Sequence, residues 1–288
     1  MSRTRATAIG FIAVLLWAML ALFTVGSAPT PPLLLNTLSF GIGGCVGLVW
    51  AAVTGSTAQM RQIPLRIYAF GAIGLFSFHL LYFSALRLAP AAEAGLIAYL
   101  WPLLIVIFSG LLPSERLRAG HLFGAVLGFA GAALIILDGT TDLSTAHVTG
   151  YMLDLLAAFT WAGYSVLSRM VGTTPTSSVA IFCLATSALS FPLHLVFEET
   201  LLPTTAFGWA SISGLGLGPV GLAFYVWDIG CKRGDIQLLG TSSYAAPLLS
   251  TLILIAAGIS SPTITLLWAT LLITGGALIA ARASFFKN

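Results

Sequence analysis

Charge is scarce in this chain. Asp, Glu, Lys and Arg make up 7% of its 288 residues, against about 25% in a soluble domain. So few charges do not cover a water-facing surface. With 58% hydrophobic residues and a mean hydropathy of +1.01, an ordinary soluble globule is excluded. Cysteine is also rare: Cys45, Cys183 and Cys231 all lie in apolar stretches. An odd count without ligand spacing excludes a disulfide framework and calls for no metal. The net charge of +3 is too small to call for a nucleic-acid partner.

Catalytic signatures are missing too. There is no H-E-x-x-H, no G-x-S-x-G and no pair of mid-span aspartates, so no intramembrane hydrolase is expected, and no cofactor. Gly214, Gly216 and Gly218 form a G-x-G-x-G run. It sits inside an apolar stretch with no Gly-Lys after it, so helix packing is the better reading than phosphate binding. The G-x-x-x-G pairs Gly43/Gly47 and Gly124/Gly128 likewise point to close helix contact. No low-complexity tract or long linker leaves room for a soluble domain.

What the chain has is apolar runs of about 20 residues, the length that crosses about 30 Å of hydrocarbon as a helix. Ten are expected, at 6–26, 33–54, 66–87, 91–112, 119–138, 150–171, 178–198, 206–231, 236–258 and 263–283. The alternation of a β-barrel is absent. The expected fold is therefore an all-α, multi-pass membrane protein whose first partner is the lipid bilayer. Arg3 and Arg5, with Gly26-Ser27-Ala28 after the first run, have the outline of a signal peptide. Trp17-Ala18 has a counterpart in the second half, however, so the first run is counted within the mature fold.

The chain also repeats itself. A shift of 145 puts Tyr82 on Trp227, Arg87 on Lys232, Gly95 on Gly240, Tyr99 on Tyr244, Pro102 on Pro247 and Gly131 on Gly276. A shift of 144 puts Trp17-Ala18 on Trp161-Ala162 and Pro31 on Pro175. The expected domains are two five-helix repeats, 1–140 and 141–288. With both termini cytoplasmic, Arg3, Arg5, Arg61, Arg66, Arg116, Arg118, Arg169, Lys232, Arg233, Arg282 and Lys287 all fall inside, eleven of the twelve basic residues. Arg87 falls outside with Asp138, Asp142, Glu198 and Glu199. Five spans per repeat then make the second half inverted, the plan by which many transporters build a site between repeats.

Ionisable groups within spans are few. Glu93 and Asp154 lie near outer ends, and Asp228 stands four residues before Lys232, the spacing of a helical ion pair. These three are read as structural or rim residues. His79 lies deeper, beside Phe78 and Tyr82, where a substrate contact and a satisfied core histidine are both open. Every basic residue sits at a span end, so nothing neutralises a phosphate at mid-membrane. The substrate is expected to be neutral or zwitterionic. Tyr99, Trp101 and Pro102, with Tyr244 and Pro247 in the repeat, combine aromatic walls with backbone carbonyls freed by proline. Trp17, Trp161, Tyr164, Tyr82 and Trp227 add flat surfaces for an aromatic side chain or an ammonium group. Core packing is the competing reading for them, and a place in the interfacial belt is the reading for Trp50, Trp209 and Trp268.

The span count, the inverted repeats and the paired Trp-Ala dipeptides make this chain resemble the drug/metabolite transporter superfamily, EamA-like branch. Within it the likeness is to exporters of aromatic amino acids. It is carried by Thr4 to Trp17, Arg61-Gln62-Ile63-Pro64, Tyr99-Leu100-Trp101-Pro102 and Gly221 to Ser250, and it runs the whole length. The resemblance implies export of aromatic and other amino acids across a bacterial inner membrane. It implies a central cavity lined by spans 1–4 and 6–9, with spans 5 and 10 as supports. Trp161, Tyr99 and Trp101 are then cavity residues, and Phe78-His79 the span 3 position. There the chain departs from the family form, which has Tyr-Glu. Three other readings stay open: export of another neutral metabolite or drug, a non-transporting membrane scaffold, and a channel that passes solute without saturating. A monomer is the working expectation.

Overall fold

The structure is a computed structural model and describes residues 1–113, 115–137, 145–258 and 261–285. Among the described residues it is helical throughout, without strands. The helices are α1 (Arg3–Ala18), α2 (Leu20–Gly26), α3 (Pro32–Val53), α4 (Thr57–Arg61), α5 (Leu65–Leu88), α6 (Ala91–Ala98), α7 (Trp101–Ser109) and α8 (Ala119–Leu137). In the second half they are α9 (Val148–Met170), α10 (Val179–Phe197), α11 (Ala206–Leu217), α12 (Ala223–Arg233), α13 (Ile236–Ser242), α14 (Ala245–Ala256) and α15 (Ile264–Phe285). Eight stretches are long and apolar enough to cross a membrane: Arg3–Gly26, Pro32–Val53, Leu65–Leu88, Ala119–Leu137, Thr176–Phe197, Ala206–Arg233, Ile236–Ala256 and Ile264–Ser284. A shorter apolar helix runs Glu93–Ser109. Asp138, Asp142 and Lys287 lie outside the described residues.

Four expected spans are interrupted. The first breaks at Met19, between α1 and α2. The fourth breaks at Tyr99-Leu100, where Pro102 enters the first turn of α7 without an amide hydrogen. The ninth breaks at Ser243-Tyr244, ahead of Pro247. The eighth passes through a π-helical turn, Gly218–Leu222, around Pro219. Such breaks at membrane depth are tolerated where neighbouring groups meet the freed backbone.

The four most extensive helix pairs are α8 on α15, α3 on α10, α5 on α9 and α1 on α12. Glycines set the spacing of two of them. A Cβ on Gly10 of α1 would stand 2.8 Å from the Cα of Gly230 on α12. One on Gly124 of α8 would stand 2.5 Å from the carbonyl oxygen of Gly276 on α15. The G-x-x-x-G pairs are packing surfaces, since Gly43 likewise meets Gly221 and Gly128 meets Tyr244.

Polar ties close the two ends differently. Near both chain termini, the buried carboxylate of Glu115 holds Arg169 at 2.6 Å and Arg3 at 2.9 Å. Asp235 lies 3.4 Å from Arg3. Arg169 also donates to the carbonyls of Cys231 and Gly234. Asp228 and Lys232 make the expected helical ion pair at 2.8 Å, and Thr176 donates to Asp228. The ends of α1, α9, α12 and α13 are thereby drawn together. At the opposite end Glu198 accepts from the amides of Leu33 and Leu34, capping α3, and from Arg87. That tie joins α3, α5 and α10 and leaves the ends of α9 and α12 out.

Candidate functional site

The site is an aromatic knot at the middle of the bundle. Trp17 comes from α1, Trp101 from α7, Trp161 from α9 and Trp227 from α12. Each of the four touches the other three. Trp17 lies 5.1 Å from Trp227 and 5.9 Å from both Trp101 and Trp161, centroid to centroid. Trp101 stands edge-on to Trp161 at 6.3 Å and to Trp227 at 5.8 Å. Trp161 and Trp227 are near-parallel at 6.3 Å. Edge-to-face and offset contacts are the favourable arrangements for aromatic quadrupoles.

Two indole N–H groups find partners, as buried tryptophans require. Trp17 donates to the carbonyl of Pro219 at 3.1 Å, within the π-helical turn. Trp227 donates to Ser165 Oγ at 3.1 Å. The first of these bonds joins a tryptophan on one helix to the backbone of a proline-containing turn on another.

Beside the knot, α5 supplies Phe78, His79 and Tyr82. Phe78 leans on Trp161 at 5.4 Å and lies parallel to Tyr82 at 6.1 Å. His79 meets Phe40 edge-on at 4.8 Å and Phe78 at 5.0 Å. Its Nδ1 lies 2.7 Å from the carbonyl of Leu75. A carbonyl only accepts, so Nδ1 carries the hydrogen and Nε2 is the ring nitrogen without one in the neutral ring. Tyr164 stacks on Phe70 and Trp161, over the bare Cα of Gly74. It is buried, as are Trp101, Trp161 and Trp227. Trp17, Phe78, His79, Tyr82 and Tyr99 keep partial exposure.

Tyr99 and Tyr244 sit apart from the knot, in a second cluster against α8 with Phe129. Despite their matching repeat positions they differ. Tyr244 is fully buried, and its hydroxyl accepts the amide hydrogen of Leu103 at 3.1 Å. Tyr99 is partly exposed at the helix break. Pro102 and Pro247 are both buried in the first turns that follow the breaks. Two further rings belong to the site. Phe224 touches Trp17, Phe40, His79 and Trp161, and Phe40 is fully buried beside it. Among the described residues no group of His, Cys, Asp and Glu side chains converges as metal ligands would.

Comparison with known proteins places this geometry. The model of the EamA-like transporter family matches twice, over residues 4–137 and 148–282. The chain belongs to the EamA-like transporter family. It is a multi-pass membrane protein, as the eight apolar helices require. Among its relatives, the aromatic amino acid exporter YddG of Ancylobacter novellus is 49% identical over 282 residues, covering 97% of this chain and 98% of that protein. The YddG of Escherichia coli is 26% identical over 299 residues, 99% of each chain. The biotin transporter of Escherichia coli is 28% identical over 206 residues, 69% of this chain and 67% of that one. A crystal structure 48% identical in sequence superposes with a TM-score of 0.94, covering 98% of this chain and 99% of that one.

Proposed function

We propose that this EamA-family member exports amino acids, aromatic ones preferred and other neutral ones accepted, across a bacterial inner membrane by alternating access. The observation that carries the reading is the knot of Trp17, Trp101, Trp161 and Trp227, four rings from four helices, in a chain 49% identical to an aromatic amino acid exporter. The aromatic walls hold the side chain. His79 Nε2 and the backbone groups at the breaks before Pro102 and Pro247 hold the zwitterion. No group within the knot neutralises a phosphate. Export of a different metabolite on the same fold is not favoured by this likeness.

In this reading ten helices cross the membrane, counting α6–α7 and α9 with the eight apolar stretches. Residues 1–140 and 141–288 form two inverted five-helix repeats around a central cavity, with both termini cytoplasmic. Two observations support it. The family model matches once in each half. The helix pairing also survives exchange of the halves: α5–α9 becomes α12–α1, while α3–α10 and α8–α15 map onto themselves. The departures from symmetry fit a single access state. α8 packs on α13 and α14, but among the described residues α15 makes no comparable contact with α6 or α7. The end tied by Glu115 is the closed one, and the partly exposed rings lie towards the other.

Uptake of labelled phenylalanine by liposomes containing the purified protein tests the proposal, with tryptophan and tyrosine as competitors. Saturable flux, reduced by both and lost in Trp101→Ala, supports exporter and site together. No flux for phenylalanine or any neutral amino acid sinks the substrate class.

A further inference from the structure

Asp154 is a buried carboxylate that the knot does not use. It lies on α9 with no solvent exposure, and neither of its oxygens has a hydrogen-bond partner. No basic side chain pairs with it. Every other carboxylate buried among the described residues has a hydrogen-bond or ion-pair partner. Glu93 accepts from Tyr151, Glu115 pairs with two arginines, Asp228 pairs with Lys232, and Asp235 caps α13. An isolated ionised carboxylate in such a setting is far too costly, so the form present here is the neutral acid.

Its position is on the transport face. Asp154 and Trp161 are seven residues apart, two turns, on the buried stripe of α9 that also holds Ala157, Ala158 and Ser165. The rings of Tyr82, Phe78 and Trp161 form a ladder beside that stripe. From α6 the facing group is Glu93, bonded to Tyr151 one turn above. α7 carries no titratable residue. On α12, Asp228 and Lys232 pair with each other at the opposite end of α9. The 3-10 turn before α9 places His147 on the carbonyl of Leu88. Among the described residues Asp154 therefore has no hydrogen-bond or ion-pair partner in this conformation, and it shares the buried face of α9 with Trp161.

We propose that Asp154 is a proton-exchange site that couples export to a proton gradient. The proposal rests on the transport reading and deepens it. In the conformation seen here α5 and α6 close over the acid, and the proton stays on its oxygen. When the alternate state opens the site to cytoplasmic water, the O–H bond breaks and water on that side takes the proton. The carboxylate then accepts N–H bonds from the substrate's ammonium group. Once the site faces outward and the substrate has left, the carboxylate takes a proton from external water. Proton and ammonium compete for one carboxylate, so a proton moves inward for each zwitterion moved outward.

The test compares wild type, Asp154→Asn and Asp154→Glu in liposomes. Labelled phenylalanine flux is measured with and without a pH gradient, and phenylalanine counterflow at equal pH. The wild type and Asp154→Glu should respond to the gradient. Asp154→Asn should keep counterflow, at a raised KM, and lose the response. A response retained in Asp154→Asn, or a wild type that exchanges phenylalanine but ignores the gradient, overturns the proposal. Absence of all exchange in the wild type would instead sink the substrate reading. In that event, and for a variant without flux, melting of the purified protein from mildly acidic to alkaline pH decides. The wild-type midpoint should fall with rising pH relative to Asp154→Asn, because the neutral acid in the packed fold must then ionise. Parallel curves overturn the proposal.

Discussion

Arg169 and Glu115 face each other at 2.6 Å, and the Glu115 side chain has no solvent exposure. The same carboxylate takes two hydrogen bonds from Arg3. One acidic residue thus ties the start of α1 to the end of α9. Removing one partner of a buried ion pair costs about 3–5 kcal/mol, because the other charge is left unpaired. Glu115→Gln should loosen this end of the bundle. Cys231 is a built-in reporter, being fully buried with its carbonyl bonded to Arg169. In a background with Cys45→Ser and Cys183→Ser, a maleimide should label Cys231 slowly when Glu115 is present and faster in Glu115→Gln. Equal labelling rates would separate Glu115 from the closure.

Tyr244→Phe isolates one hydroxyl. That hydroxyl accepts the amide hydrogen of Leu103 beside the break before Pro102. A buried amide left unpaired costs about 1–3 kcal/mol. Thermal unfolding in detergent should show a loss in that range, and Tyr99→Phe a smaller one, since Tyr99 is partly exposed.

Glycine positions divide by what surrounds them. Gly10→Ala places a methyl 2.8 Å from the Cα of Gly230, a backbone contact that no rotamer relieves. Overpacking of this kind costs about 1–3 kcal/mol. Gly163 lies within α9 with nothing within 4 Å of an added Cβ. Gly163→Ala should therefore be neutral or stabilise by up to about 1 kcal/mol through helix propensity. Opposite signs of the two melting shifts are expected, and equal shifts would refute the packing argument.

His79→Leu keeps the volume at the centre of Phe40, Phe78 and Phe224 and removes Nε2. A hydrogen bond to a charged group contributes about 1.5–3 kcal/mol. The KM for phenylalanine should rise about ten- to hundredfold, with melting unchanged. An unchanged KM would assign His79 to packing alone.

The four knot tryptophans stood out in the sequence on separate grounds. Trp17 and Trp161 open the two halves, Trp101 precedes a proline, and Trp227 is the repeat counterpart of Tyr82. Their mutual contact was not legible, because it depends on which helices cross. Phe40 and Phe224 went unread, since a phenylalanine in an apolar run carries no polar, proline or repeat signal. Asp154 read as a structural or rim residue from its nearness to a helix start. Its full burial follows from α5 and α6 packing over that turn of α9. The break at Met19 had no proline to announce it, whereas Pro102, Pro219 and Pro247 each mark a disturbed turn.

The sequence by itself determined the solvent this protein lives in, the helical class and the doubled pattern. These follow from local quantities: scarce charge, run length and self-similarity. The helix pairing, the knot, the ionic tie at Glu115 and the solitary acid at Asp154 were decided only by the tertiary structure. Burial and pairing depend on residues far apart in the chain, and hydrophobicity along one helix does not say which of its faces meets which neighbour.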